Sequence, residues 1–442
     1  MKISMIGTGY VGLVSGALFA DRGNRVVCID NNAEKIKLLK EGRMPFFEPG
    51  LEEIVRRNTL KENIFFSEDI RDVVDSKAIF LAVGTPSDGN GAFHMEYLEG
   101  AARGVGRALR GREGFWVIVG KSTVPQGTYK RISKILEEEI GNSDEWAYVS
   151  NPETLAEGSA VKDFSKPDRV LIGTYSDKAY KIMAELYHPF VRREDRIMRG
   201  SPADAELAKL FSNSALACRI AMINEFARIA DVTKDADMEN IRKMICEDSR
   251  IGHSFMYPGP GYGGSCFPKD VRGLVNQAKL DGYSPLILDR IHDSNEIHKS
   301  YMASRVVELL KREKDVKIGI WGVTFKPFTD DMRDAASIPI ITHFINNGIK
   351  VSVYEPQAEK AREIFRDKVD FVNGQYEAVK DADALILLTE WPEFDSPDYE
   401  LLLKNMGGRQ LFDLRNRWLA DVANENGFDY FGVGRNYALG TR

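Results

Sequence analysis

Cysteine is scarce in this chain. Its 442 residues hold four, Cys28, Cys218, Cys246 and Cys266, scattered without a Cys-x-x-Cys pair or a cluster with histidine. That pattern indicates neither a disulfide scaffold nor a thiolate zinc site, so no metal is expected and a reducing compartment fits best. Long apolar runs are missing too: no stretch reaches the roughly 18 uninterrupted apolar residues of a membrane span, so no membrane partner is expected. Nor does one sign of charge dominate. A formal charge of −6 with both signs mixed along the chain offers no basic stripe for nucleic acid and no polybasic anchor, so small anionic ligands must rely on local lysines and arginines. The first residues enter at once into a strand-like run, Ile3 to Ile6, rather than a targeting segment, and the expected location is cytoplasmic. With 43% apolar residues over this length, two or three globular domains are expected.

What is present begins with a nucleotide fingerprint. The strand-like Lys2 to Ile6 is followed by Gly7-Thr8-Gly9-Tyr10-Val11-Gly12, a helical pattern from Leu13 to Ala20, and a second strand, Arg25 to Ile29, ending at Asp30. In such a unit the first glycine turns the chain, the second admits a pyrophosphate, and the third packs helix on strand. Asp30 is placed to accept from the adenosine ribose, which favours NAD over NADP; the plain alternative is an exposed strand-end acid. Further strands, Ala78 to Val83 and Trp116 to Gly120, open into loops carrying Thr85 and Ser122-Thr123-Val124-Pro125. Both threonines stand where ligands of parallel sheets bind, or else they cap the next helices. Tyr148-Val149-Ser150 leads into Asn151-Pro152-Glu153-Thr154-Leu155-Ala156-Glu157-Gly158. Its two acids either share a helical face, clasp a substrate loop, or are solvated.

Ser201-Pro202 to Asp231 reads as one helix of about eight turns, with proline in the first turn and no later glycine or proline. Its apolar residues are spread around the circumference, which implies burial on several sides and a subunit contact. Lys209 and Asn213 form an i, i+4 pair, and Asn224 and Glu225 follow. Lys209 either snorkels to solvent or faces an anion. After a second helical region, Asp289 to Leu310, the nucleotide pattern restarts: strand Lys317 to Trp321, Gly322-Val323-Thr324-Phe325-Lys326-Pro327, a helix, and strand Lys350 to Tyr354 ending at Glu355. This degenerate repeat lacks the three glycines, so it is not expected to hold a second dinucleotide, whereas Lys326, Arg333 and Arg415 supply charge for a diphosphate. The fold class is therefore α/β: two Rossmann-like doubly wound domains joined by a long central helix and a helical middle region, divided as 1–200, 201–304 and 305–442.

Gly261-Tyr262-Gly263-Gly264-Ser265-Cys266-Phe267-Pro268-Lys269-Asp270 puts a thiol on a glycine-rich turn with an ammonium and a carboxylate close behind. Such a thiol either attacks a carbonyl carbon or is a small buried hydrophobe.

Together these segments resemble the UDP-glucose/GDP-mannose dehydrogenases over the whole chain. The resemblance rests on Gly7 to Gly12, Ser122-Thr123-Val124-Pro125, Asn151-Pro152-Glu153 with Glu157-Gly158, Lys209 with Asn213, Arg250-Ile251-Gly252, Gly261 to Asp270, and Phe325-Lys326 with Asp330-Asp331-Met332-Arg333. It implies an NAD-dependent, four-electron oxidation of a sugar C6 hydroxyl to a carboxylate in a homodimer built on the central helix. The expected substrate is UDP-glucose, with GDP-mannose or a UDP-N-acetylhexosamine as alternatives. By resemblance Cys266 is the nucleophile, Lys209 and Asn213 hold the oxyanion, Asp270 assists proton movement, and Glu153 and Thr123 stand near the reacting water. Cofactor positions are Gly7, Gly9, Tyr10, Val11, Gly12, Asp30, Lys35, Thr85, Thr123, Glu157, Lys269 and Arg333. Sugar-nucleotide positions are Glu153, Leu155, Glu157, Lys209, Asn213, Arg250 (from the partner subunit), Phe255, Tyr257, Gly261, Phe267, Phe325, Lys326 and Arg415. Thr154, Leu414 and the proline-rich Met256-Tyr257-Pro258-Gly259-Pro260 depart from the family pattern and bear on sugar choice.

Overall fold

Runs of four or five apolar, often β-branched residues become most strands of two sheets, and the central ones are buried on both faces as parallel strands under helices must be. In the computed structural model, which describes residues 1–88, 91–141, 143–191, 193–310 and 315–435, the chain forms two units. One comprises Met1–Ser212 with Arg272–Tyr283, the other Asn213–Val271 with Ser284–Arg442.

The first unit holds β1 (Lys2–Ile6), β2 (Arg25–Ile29), β3 (Ile64–Ser67), β4 (Ala78–Leu81), β5 (Trp116–Gly120), β6 (Trp146–Ser150), β7 (Val170–Gly173) and β8 (Ile197–Gly200). They are ordered β3-β2-β1-β4-β5-β6-β7-β8, with only the β6 to β7 pairing antiparallel. The second unit holds β9 (Lys317–Trp321), β10 (Lys350–Tyr354), β11 (Asp370–Phe371), β12 (Ala384–Leu387), β13 (Gln410–Asp413) and β14 (Asp429–Gly432), ordered β11-β10-β9-β12-β13-β14. Both sheets reverse direction of growth beside their first strand, between β1 and β4 and between β9 and β12. That reversal opens a crevice at the strand carboxyl ends, the usual ligand site of this architecture.

Period-two alternation sorts the side chains into layers. Met5, Phe80 and Val119 meet Phe19 on one face of the first sheet, while Ile6, Leu81 and Ile118 meet Leu98 and Leu109 on the other. In the second sheet Ile320, Val353 and Ile386 pack with Phe344, and Trp321, Leu387 and Leu411 pack with Phe394 and Trp418. Among the described residues no helix is long and apolar enough to cross a membrane.

The acid at the end of each second strand ties down the loop after the first. Asp30 Oδ2 accepts from the Thr8 amide and hydroxyl, both at 2.8 Å, and its Oδ1 from Asn32 N at 3.0 Å. Glu355 repeats the arrangement, Oε2 accepting from Val323 N at 2.6 Å and Thr324 N at 3.0 Å, and Oε1 from Gln357 N at 3.0 Å. The repeat seen in the sequence is thus a repeat of hydrogen bonding as well as of element order.

Three elements differ from the sequence expectation. The β4 strand stops at Leu81 rather than Val83, where the chain turns toward the β5 loop. The first helix starts at Tyr10 and runs to Asp21, so Tyr10, Val11 and Gly12 form its first turn. No helix follows Lys326-Pro327 directly; the next one spans Ser337–Asn346, and the intervening segment carries Phe328 and Asp334 at positive φ.

Glu355→Ala removes one buried acceptor from three backbone donors and is expected to cost about 1–3 kcal/mol, read as a lower urea midpoint. Exposed Glu363 lies in the same unit, and Glu363→Ala should change stability by less than about 0.5 kcal/mol.

Candidate active site

Gly7 holds φ at +101°, and a Cβ there would lie 2.7 Å from the Ala82 carbonyl oxygen, so only glycine lets the β1 and β4 ends approach this closely. Gly9 then starts the helix Tyr10–Asp21, whose N-terminus has no side-chain cap and no acid in its first turn. Its amides are left to an anion, which fits the pyrophosphate of a dinucleotide. At Asp30, burial pushes the carboxyl up, but the Thr8 and Asn32 hydrogen bonds and nearby Lys35 outweigh it and hold the group below the usual carboxylate value. Lys35 Nζ lies 4.0 Å from Asp30. Asp30 is therefore ionised and largely buried, not a solvated strand-end acid.

Neither threonine caps a helix. The Thr85 hydroxyl donates to the Thr123 carbonyl at 2.6 Å, joining the β4 and β5 loops, and the helix after Thr123 is capped at Gly127. Residues missed in the sequence do the anchoring. Buried Glu206 accepts from Gly127 N at 2.9 Å and Tyr129 N at 2.8 Å. Burial pushes it up to about 7 against those amides.

The segment after β6 is a loop, so Glu153 and Glu157 do not share a helical face. Glu153 is buried and pairs through Oε1 with Lys209 Nζ at 2.9 Å, while its Oε2 accepts from Leu155 N. Lys209 is buried and does not snorkel. The far end of this loop is held by Glu48, also missed: its carboxylate accepts from Gly158 N at 2.6 Å, from Val161 N at 3.3 Å and from the Tyr10 hydroxyl. Burial and then the Glu48 carboxylate raise Tyr10, keeping the phenol protonated. The fingerprint tyrosine and the acidic loop are thereby hydrogen-bonded to one carboxylate. The only sequence signal was an acid preceding Pro49-Gly50.

In the second unit Cys266 immediately precedes the helix Phe267–Leu280. It is half-buried, with Ser265 Oγ 3.4 Å from its sulfur, and its carbonyl accepts from Asp270 N at 2.8 Å. A helix N-terminus favours negative charge, so the position suits a thiolate. No disulfide involves any of the four cysteines. Asp270 is fully buried; Asn213 Nδ2 donates to its Oδ2 and Lys269 Nζ lies against its Oδ1, both at 2.6 Å. The sequence placed Asn213 on an oxyanion and Lys269 on the cofactor; here both engage Asp270.

The glycine-rich turn approaches protein. Gly264, at φ +82°, leaves room for the Phe325 ring, which a Cβ would meet at 2.8 Å, and its amide donates to the Arg333 carbonyl at 2.8 Å. Asn295 clamps the turn by accepting from Tyr262 N at 2.8 Å and donating to Tyr262 O at 3.0 Å. Asn224, noted in the sequence without a role, accepts from Gly259 N at 2.9 Å, and His298 Nε2 meets Gly259 O at 2.7 Å. Burial drives His298 down to about 4, so it stays neutral. These side chains fix the proline-rich approach to the turn.

The remaining candidates fall into two groups. Arg415 is mostly buried; its Nε donates to Leu388 O at 2.7 Å and its Nη2 reaches Phe325 O at 3.5 Å. Half-buried Lys326 has its ammonium 5.5 Å from the Phe325 ring, and Phe255 lies 6.2 Å from Phe267. Arg250, Tyr257 and Arg333 are exposed: Arg250 pairs with Asp248, Tyr257 lies under Arg242 at 4.4 Å, and Arg333 pairs with Asp331.

Three family models match in order: the NAD binding domain of the UDP-glucose/GDP-mannose dehydrogenases over residues 1–191, the central domain over 203–297 and the UDP binding domain over 319–419. A UDP-glucose 6-dehydrogenase of Rhizobium meliloti is 39% identical, covering 98% of this chain and 100% of that protein. Among solved structures, a UDP-glucose dehydrogenase from Pyrobaculum islandicum superimposes with TM-score 0.89 at 33% identity, covering 98% of each chain. A UDP-D-ManNAc dehydrogenase from Pyrococcus horikoshii gives 0.85 at 26%, covering 98% of this chain and 99% of that one.

Glu48→Ala strips the acceptor from Gly158 and Val161. Hydrogen exchange in peptides spanning 155–162 is expected to quicken by about 10-fold or more, the equivalent of about 1.4 kcal/mol of lost protection, while peptides of β9 and β12 keep their rates.

Proposed function

The chain belongs to the UDP-glucose/GDP-mannose dehydrogenase family and is an NAD-dependent nucleotide-sugar 6-dehydrogenase acting on a UDP-sugar; from that premise we propose that it converts UDP-glucose to UDP-glucuronate by two oxidations at C6, with Cys266 as nucleophile. What carries this reading is a half-buried thiol at a helix N-terminus, one turn before a buried carboxylate held by an amide and an ammonium. An oxidation that ends at the aldehyde has no use for a nucleophile. One that ends at the acid needs a tetrahedral carbon able to lose hydride a second time.

Bound NAD supplies the hydride acceptor for each oxidation, two equivalents per sugar. In the first, C6 loses a hydride and its hydroxyl a proton, leaving the aldehyde. The Cys266 sulfur then adds to C6 and the thiol proton passes to the aldehyde oxygen, giving a thiohemiacetal. A second loss of hydride and proton yields the thioester. Water attacks that carbonyl, the carbon–sulfur bond breaks, and the acid and the thiol are released. Lys209 and Asn213 would hold the C6 oxygen whenever it carries negative charge; one such donor contributes about 3–4 kcal/mol in comparable sites. Asp270 would shuttle the thiol proton, and Glu153 would take the proton from the hydrolytic water, with Thr123 beside it.

Cofactor contacts are proposed for Gly7, Gly9, Tyr10, Val11, Gly12, Asp30, Lys35, Thr85, Thr123, Glu157, Lys269 and Arg333. The loop Glu153 to Glu157, with Leu155, and residues Phe255, Tyr257, Gly261, Phe267, Phe325, Lys326 and Arg415 would hold the sugar nucleotide, joined by Arg250 of a second copy. In this reading 1–200 serves the cofactor, 201–304 the subunit contact and 305–442 the UDP group. UDP-glucose is preferred because relatives so named match the chain end to end. Dimerisation is supported by the long helix Pro202–Asp231, on which Met222, Phe226 and Ile229 remain exposed at helical spacing on one apolar side.

Two NADH per UDP-glucose are expected by absorbance at completion; turnover only with another sugar nucleotide would reject the substrate assignment. Cys266→Ala should abolish acid formation, and Glu153→Gln should slow it by about 10²–10⁴-fold with the sugar nucleotide retained on Cys266 by mass spectrometry. Unchanged acid output from Cys266→Ala excludes the covalent route. Phe226→Glu with Ile229→Glu should convert a sedimenting dimer to monomer.

A further inference from the structure

Lys121 ends the β5 crossing just before Ser122-Thr123-Val124-Pro125, and it is 4% exposed. Its Nζ donates to Asn151 Oδ1 and to the Tyr187 hydroxyl, each at 3.2 Å. Tyr187 in turn donates to Asn151 Oδ1 at 2.6 Å, and Asn151 Nδ2 donates to Leu171 O at 2.7 Å. These hydrogen-bond partners are neutral, an unusual setting for an ammonium removed from water. Asn151 stands two residues before Glu153, so the network ends on the loop that carries the proposed hydrolytic base.

We propose that Lys121 is a positioning residue for the hydrolytic half of the reaction: through Asn151 it holds the loop bearing Glu153, and its charge sets how readily Glu153 accepts a proton. This rests on the role given to Glu153 above. The charged groups around Lys121 come from several elements: Glu153 on the loop after β6, Lys209 on the long helix, and Asp163 and Arg169, which line the same small cavity with Asn151 and Tyr187. Arg169 donates to Ser212 Oγ at 3.0 Å, and Asp163 accepts from Ala156 N at 3.0 Å. Burial drives Lys121 down to about 7, opposed by the Glu153 carboxylate and reinforced by the Lys209 ammonium.

The sign follows. Below about pH 7 Lys121 is charged and, with Lys209, sets two cations around Glu153. Above it Lys121 is neutral while Lys209 still pairs with Glu153, and withdrawing one of two nearby cations makes any carboxylate a readier proton acceptor. Thioester hydrolysis should therefore quicken as pH rises through about 7.

The test compares wild type, Lys121→Met and Tyr187→Phe from pH 5.5 to 9, following NADH release and the adduct mass on Cys266 with UDP-glucose as probe. Lys121→Met removes the charge together with the hydrogen bond to Asn151; loss of the hold on the Glu153 loop outweighs loss of the charge, so the variant is expected to keep the first NADH equivalent, slow the second half about 10-fold, accumulate adduct and lose the inflection near neutrality, whereas Tyr187→Phe is expected to displace that inflection. A folded Lys121→Met with wild-type inflection and no adduct overturns the inference, as does an unmoved inflection in Tyr187→Phe should the methionine variant not fold. Wild type that never yields two NADH or a Cys266 adduct overturns the mechanistic reading instead.

Discussion

A carboxylate taken out of water must find donors, and in this chain several buried carboxylates find them on the backbone of loops that follow strands. Asp30 and Glu355 each bind the loop after the first strand of their sheet. Glu48 binds the far end of the acidic loop, and Glu206 binds the start of the helix after Val124-Pro125. Where the carboxylate is ionised, as at Asp30, such bonds are charge-assisted and about twice as strong as neutral ones, and each fixes backbone that carries no regular hydrogen bonds of its own. Acids thus tie down backbone at the carboxyl ends of the parallel strands.

The same constraint governs the groups proposed for the chemistry. Glu153 is buried and is met by Lys209; Asp270 is fully buried and is met by Asn213 and Lys269. Removing one member of such a set strands a charge, which costs more than the pair contributes when intact. Lys121 differs because its hydrogen-bond partners are neutral, and burial accordingly drives its proton affinity toward neutrality. A group poised in this way changes charge over the pH range in which an enzyme operates, whereas the paired lysine beside it does not depend on neutral partners.

Glycine served two ends that look alike in sequence. At Gly7 the positive φ and the nearby Ala82 carbonyl open the path to an uncapped helix terminus, as expected of a phosphate loop. At Gly264 the freed space is filled by Phe325, so the turn before Cys266 is packed by its own chain. Met222, Phe226 and Ile229 show a related ambiguity: apolar residues all round a helix predict burial, yet this side is left exposed.

The element order, the two doubly wound sheets and the nucleotide fingerprint were legible from the linear chain, because period-two and period-3.6 patterns and turn residues act over a few neighbours. Tertiary structure alone decided which polar groups meet. Glu48 with Gly158, Asn295 with Tyr262, Asn224 with Gly259 and Lys121 with Tyr187 are separated by 110, 33, 35 and 66 residues, and no local periodicity marks any of them. It also decided that Glu153 and Glu157 lie on a loop and that Thr85 bonds a carbonyl instead of capping a helix. A hydrogen bond needs its partners within about 3 Å, and distances of that order between residues remote in sequence exist only once the chain has folded.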